Sequence, residues 1–252
     1  MSYSIESITE SIGARRMGNA PATIDWLLTD SRSLNFPEET LFFALTTKRN
    51  DGARYIADLY ARGVRNFVLS EESFRLMDNG QLTIDNAMQR DDAQSIVNYL
   101  IVPNPLKALQ KLAEQHRNRF QIPVIGITGS NGKTVVKEWL HQLLSPERAI
   151  IRSPRSYNSQ IGVPLSVWQM NEQSELAIFE AGISEPGEMR ALQNIIKPTI
   201  GILTNIGGAH QENFFSLQEK CMEKLTLFKN CDVVIYNGDD EFVSNCVAKS
   251  ML

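Results

Sequence analysis

A lysine and a threonine that directly follow two closely spaced glycines, at the end of an apolar run, suit the chemistry of phosphate binding. The segment is VIGITGSNGKT, residues 124–134. Gly129 and Gly132 allow backbone dihedrals and close approaches that a side chain forbids. A strand running into this turn, with a helix beginning near Lys133, would aim N–H groups and a positive helix end at an anion. Lys133 would carry a mobile charge to the β- and γ-phosphates of a nucleotide, and Thr134 a hydroxyl to Mg2+. The general form G-x4-G-K-[ST] is not met, because Ile127 stands where that form wants glycine. A purely structural glycine turn is the alternative.

Other residues could supply the remaining chemistry. Glu180 ends the apolar run 176–179, which would set its carboxylate at the C-terminal edge of a sheet, where open α/β folds bind ligands. A hard carboxylate beside a phosphate loop is a sensible Mg2+ ligand; the plain alternative is a solvated glutamate. His210 follows the run 200–203 and the Gly207-Gly208 turn, a flexible path into the same edge, whereas His116 and His141 sit within helical stretches and read as structural. Ser31 and Arg32 offer a hydroxyl and a guanidinium suited to a pyrophosphate; an Asx-type turn headed by Asp30 with an exposed arginine is the alternative. The three cysteines, Cys221, Cys231 and Cys246, form no CxxC pair and read as small apolar residues of a reducing compartment.

These residues need elements to hold them. In the first hundred residues, apolar runs at 41–45 and 66–69 flank a helical spacing over 53–63, a strand–helix–strand rhythm. Two prolines at Pro103 and Pro105 mark a boundary. The helix that follows carries Lys107, Lys111, Arg117 and Arg119, which read as a solvated basic face. From Pro123 onward, apolar runs at 124–127, 176–179, 200–203 and 233–236 alternate with helical stretches at 133–144, 187–196, 216–229 and 239–248. Continuous apolar strands of this kind belong to a parallel sheet covered on both faces. The expected fold is therefore α/β: a small α/β N-terminal domain over 1–103, then a P-loop-type parallel sheet with helices on both faces over 104–252. At 252 residues with 42% hydrophobic content the chain can bury a full core without disulfide or metal staples. A net charge of −4 argues against a nucleic-acid or membrane-surface partner held by bulk charge. No apolar run reaches the ~18 residues of a membrane span, and no leader is visible in the first ten residues, so a cytoplasmic location is expected.

The loop TGSNGKT at 128–134 resembles the ATP loop of the Mur ligases, the ATP-dependent amide-forming enzymes of peptidoglycan precursor synthesis. The resemblance continues in order through NSQIGVP at 158–164, EAG at 180–182 with Gly187 and Glu188, TNIGGAH at 204–210 and NGDD at 237–240. TDSR at 29–32, LFFAL at 41–45 and Asp51-Gly52 resemble the uridine-nucleotide domain of the family's later-acting members. The combined wording is similar to that of the member adding D-alanyl-D-alanine to UDP-MurNAc-tripeptide, including a form fused to an alanine racemase. The resemblance implies ATP contacts from Gly129, Ser130, Asn131, Gly132, Lys133, Thr134 and Asn158, and uridine diphosphate contacts from Ser31 and Arg32. It also implies Mg2+ ligation by Thr134, Glu180 and His210, and by Lys224 as a carbamate, with Lys133, His210 and Lys224 as the catalytic set. Lys220 is the alternative to Lys224, and an exposed helix lysine is the plain reading of either. Thr47 and Ala53 replace a glycine and a histidine of the family pattern. Because the family's ligases run to about three domains, this chain is expected to be a catalytically silent part of one. Other readings are a non-catalytic nucleotide-binding fragment, the diamino-acid-adding member, or a folylpolyglutamate synthetase, the last disfavoured by TDSR and LFFAL.

Overall fold

The computed structural model describes residues 1–47, 50–78, 96–208 and 213–250. These residues form two compact units, Met1–Leu112 and Ala113–Leu252. The division falls within a helix, Pro105–Arg117, just beyond the proline pair read as a boundary.

The first unit runs β1 (Tyr3–Ser4), α1 (Ile5–Ile12), β2 (Arg15–Met17), β3 (Thr23–Ile24), β4 (Trp26–Leu28), β5 (Thr40–Phe43), β6 (Thr46–Thr47), β7 (Asn50–Asp51), α2 (Ile56–Ala61), β8 (Asn66–Ser70), α3 (Glu71–Asp78) and β9 (Asn98–Val102). Its main sheet has the order β2-β9-β8-β5-β4, parallel except for β2. β5 and β8 are the strands read from apolar runs, and Phe42, Phe67, Ile56 and Leu59 close the core between sheet and helix. The stretch read as one helix over 53–63 is a short 3-10 turn, Gly52–Tyr55, followed by α2. Asp51 caps that turn by accepting the Ala53 N–H at 2.9 Å. Gly52 is required there, because a Cβ would lie 2.8 Å from the Leu45 nitrogen.

After α4 (Pro105–Arg117), the second unit runs β10 (Val124–Thr128), α5 (Lys133–Leu144), β11 (Ile150–Arg152), α6 (Gly162–Val167), β12 (Leu176–Glu180), α7 (Glu188–Ile196), β13 (Ile200–Leu203), α8 (Leu217–Leu225), β14 (Val233–Ile235) and α9 (Glu241–Lys249). All five strands are parallel in the order β11-β12-β10-β13-β14. The chain leaves central β10 toward one edge and returns across it to β13, so β10 lies at the point where the winding reverses. Ligands of open α/β sheets bind beyond the strand ends at such a point. Successive side chains of a strand face opposite ways. Ile125, Ile127, Leu176 and Ile178 accordingly meet Val136, Leu140 and Leu144 of α5, while Val124, Ala177 and Phe179 join the larger core on the other face.

Two further readings change. β11 and α6 were not visible as apolar runs, because β11 is a three-residue edge strand that is only half-buried. The basic face of α4 is solvated at Lys107, Lys111 and Arg119 but not at Arg117. Arg117 is 6% exposed and donates to the carbonyls of Ile196, Phe120 and Lys197 at 2.9, 2.7 and 3.2 Å. It thus satisfies carbonyls left open where α7 ends. His116 is buried as well, edge-on to Phe120 and tilted against Trp168, with Nε2 3.0 Å from the Met170 carbonyl. Burial brings its pKa down to about 4, so the ring is neutral and structural. The three cysteines are free, two of them buried.

Candidate functional site

The phosphate-type loop turns between β10 and α5 as its glycines demand. Gly129 has φ +145 and a Cβ there would fall 1.9 Å from Thr204 Oγ1; Gly132 has φ +81. Gly132 also caps α5 without a side-chain hydrogen bond, which leaves the first-turn N–H groups and the positive helix end open to an anion. The stretch after β13 braces the loop from behind. Asn205 accepts the Ser130 N–H on its carbonyl at 2.9 Å and the Asn131 N–H on Oδ1 at 3.0 Å. Thr204 Oγ1 donates to the Asn131 carbonyl at 2.6 Å, and Gly207 N–H to Ser130 Oγ at 2.8 Å.

Glu180 is fully buried at the end of β12, on the sheet face that α5 covers. Its Oε2 accepts from Thr134 Oγ1 at 3.1 Å and from Asn158 Nδ2 at 3.4 Å. With its proton committed to Glu180, the Thr134 hydroxyl accepts from Ser156 Oγ at 3.2 Å. Glu180 Oε1 takes no hydrogen bond and is held instead by the charge of Lys137 Nζ, 2.9 Å away. Thr134, Glu180 and Ser156 together present hard oxygens of the type Mg2+ selects. Among the described residues no three His, Cys, Asp or Glu side chains gather into a metal cluster. The oxygen set is therefore a hydroxyl-and-carboxylate one.

Three more lysines ring the loop. Lys133 Nζ donates to the Gly129 carbonyl at 2.9 Å, Lys224 Nζ to the same carbonyl at 3.2 Å, and Lys220 Nζ to the Gly207 carbonyl at 2.6 Å. Lys220 and Lys224 are 1% and 3% exposed, where lysine almost never sits unless paired. A cavity of about 130 Å³ opens beside them, lined by Gly129, Lys133, Asn158, Gly182, Ser184 and Lys224 among others. Burial lowers the pKa of Lys133, against the pull of Glu180. Burial, then the charges of Lys133 and Lys220, bring Lys224 down to about 8.

Lys224 therefore burdens the fold in a pH-dependent way. Unfolded, it holds its proton up to about 10.5; folded, it loses the proton near 8. The cost of a buried charge is complete below pH 8 and disappears as the pH rises toward 10.5. Wild-type stability is expected to rise across that window by up to about 3 kcal/mol more than that of Lys224→Met. Urea unfolding of both proteins at pH 7.5 and pH 10 checks this, and equal slopes would refute it.

The structure thus gathers Gly129, Ser130, Asn131, Gly132, Lys133, Thr134, Asn158, Glu180 and Lys224 at one sheet edge. His210 lies outside the described residues. Ser31 and Arg32 belong to the other unit. There Asp30 accepts the Arg32 N–H at 3.0 Å and grips its guanidinium at 2.9 and 2.6 Å. That pairing lowers the Asp30 pKa and raises that of Arg32. Arg62 donates to the Ser31 carbonyl at 2.8 Å. Lys137, Ser156, Thr204 and Asn205 were missed from sequence. Thr204 and Asn205 open the TNIGGAH segment, which drew attention only for His210, and Lys137 lies four residues after Lys133, on the same helix face.

Residues 127–251 match the Mur ligase middle domain. The second unit is the middle domain of a Mur ligase. The chain is 32% identical over 227 residues to the UDP-N-acetylmuramoyl-tripeptide–D-alanyl-D-alanine ligase of Borreliella burgdorferi, an alignment spanning 89% of this chain and 47% of that protein. The ligase of the same name from Rickettsia prowazekii is 34% identical over 212 residues, covering 83% and 42%. Among solved structures, the MurF ligase of Thermotoga maritima in complex with ADP superposes with a TM-score of 0.69 at 25% identity, over 87% of this chain and 47% of that one. MurF of Acinetobacter baumannii shares the fold with a TM-score of 0.82 at 23% identity, over 98% and 51%. This Mur ligase chain thus spans about half the length of the relatives it matches. No helix among its described residues is long and apolar enough to cross a membrane.

Proposed function

We propose that this chain is the nucleotide-binding part of a cytoplasmic Mur ligase that adds D-alanyl-D-alanine to UDP-MurNAc-tripeptide at the expense of ATP. The observation that carries the reading is the loop 128–134 with Lys133 over it and Thr134 hydrogen-bonded to the buried Glu180. Relatives bearing that activity in their names, and a structural neighbour holding ADP, support it.

In this reading the first-turn amides of α5 and the Lys133 ammonium hold the β- and γ-phosphates. Thr134 and Glu180 would hold Mg2+, which when bound offsets charge on the transferring phosphoryl group. The substrate carboxylate attacks the γ-phosphorus, giving an acyl phosphate and ADP. The dipeptide amine then displaces phosphate and forms the amide. Holding amine and acyl phosphate together is worth ~7–11 kcal/mol of barrier. Lys224 suits carbamylation, since an amine that sheds its proton near pH 8 is nucleophilic: nitrogen bonds to CO2, a proton leaves, and an anionic oxygen replaces the ammonium. His210 would join the metal side. Ser31 and Arg32 would meet the uridine diphosphate, the phosphate displacing Asp30 from the guanidinium.

The test pairs binding with turnover. Calorimetry of the chain with ATP, and separately with UDP-MurNAc-tripeptide, should show both ligands bound. Arg32→Ala is expected to weaken the second about tenfold, as loss of one charge-assisted hydrogen bond would, and to leave ATP unaffected. Pentapeptide formation from the four components, measured beside a relative of full length, is expected to be far slower for the 252 residues alone. ATP binding unaltered by Lys133→Ala would overturn the reading.

A further inference from the structure

Lys137 is among the largest fully buried side chains of the protein, and no step of the proposed reaction uses it. Its ammonium stands 2.9 Å from Glu180 Oε1, both side chains at 0% exposure. It donates to the Ser153 carbonyl at 2.8 Å and to the Arg155 carbonyl, and a second carboxylate, Glu138, lies 3.1 Å away. Arg155 has φ +49, a left-handed conformation that is strained for a residue with a side chain. Such strain persists only where the surroundings enforce it, and here it turns a carbonyl onto the ammonium. Ser153 closes the arrangement by accepting the Glu180 N–H at 3.2 Å. The next residue beyond the strained turn is Ser156, whose hydroxyl meets Thr134. One buried cation therefore ties α5, the end of β12 and the 153–156 turn together, around the oxygens that face the loop.

We propose that Lys137 is a positioning residue for the metal-facing carboxylate: it holds Glu180 through Oε1, so that Oε2 is presented to Thr134 and to a divalent cation. The inference rests on the reading of Glu180 as a Mg2+ ligand. A buried carboxylate whose second oxygen has no counter-charge is free to rotate, and rotation would turn Oε2 away from Thr134 and the cation. Lys137 prevents it, and its own hydrogen bonds to two carbonyls keep it in place.

The experiment is titration of the whole chain with Mn2+ in the presence of ADP, followed by electron paramagnetic resonance. Wild type, Lys137→Met, Glu180→Gln and the double variant are compared. Loss of an outer partner of a metal ligand costs about ten- to a hundredfold in affinity, and that is the loss expected for Lys137→Met. If Lys137 acts through Glu180, the double variant binds Mn2+ no more weakly than Glu180→Gln alone. Should Lys137→Met fail to fold, the double variant, which removes both buried charges, still decides against Glu180→Gln. Wild-type affinity in Lys137→Met, or losses that multiply in the double variant, would overturn the proposal and leave the Glu180 site standing. Wild type that binds no Mn2+ with ADP, or Glu180→Gln that binds as wild type does, would overturn the site reading itself.

Discussion

Replacing Lys133 with alanine is expected to weaken ATP binding by about ten- to a hundredfold while leaving the protein as stable as before. The binding loss follows from removing charge-assisted hydrogen bonds to phosphate, worth about 1.5–3 kcal/mol. The unchanged stability follows from the environment of the ammonium. Burial already disfavours its charged form, two more buried lysines lie close by, and its hydrogen bonds in the folded protein go only to the Gly129 and Ser130 carbonyls. Alanine removes a charge that the loop, braced by Thr204, Asn205 and Gly207, does not need for its fold. Calorimetric titration with ATP and thermal unfolding, done on the same preparations, separate the two effects. A variant that loses stability together with binding would show that Lys133 holds the loop, and the phosphate role would have to be withdrawn.

Glu180→Gln is expected to behave in the opposite way, losing stability even without ligand. Glu180 and Lys137 are both fully buried and 2.9 Å apart. Neutralising one partner strands the other, which typically costs 3–5 kcal/mol. Lys137 keeps two carbonyls and the partly exposed Glu138, so the lower end, about 3 kcal/mol, is expected. At about 2–4 °C per kcal/mol for a protein of this size, the melting temperature should fall by about 6–12 °C. Differential scanning calorimetry of the two proteins measures it. A melting temperature within a degree or so of wild type would mean that the ion pair is not formed in solution. The contrast between Lys133 and Glu180 is the physical signature of the site: the first charge meets only backbone carbonyls, and the second is paired with a buried ammonium.

The segment 124–134 determined by itself that a strand must run into a tight turn and then a helix, because Gly129 and Gly132 adopt angles closed to other residues and Lys133 and Thr134 follow at once. The continuous apolar runs at 124–127, 176–179 and 200–203 likewise determined a parallel sheet, since strands of such a sheet show no polar alternation. The position of Glu180 at a strand end followed from the same pattern. Tertiary structure alone decided the rest. Edge strand β11 is short and half-buried, so its composition carries no signal. Arg117 reads as a surface cation in a helical sequence and Lys137 drew no reading at all, and only packing shows that Arg117 serves three carbonyls and Lys137 a carboxylate. Periodicity locates a side chain on a face of its own helix, but what covers that face is set by strands distant in sequence. The gathering of Lys133, Lys220 and Lys224 over one loop has the same origin: up to 95 residues separate hydrogen-bonded partners such as Lys224 and Gly129. Like charges so placed repel unless a ligand joins them, a condition that exists only once the sheet has brought β10, β13 and α8 together.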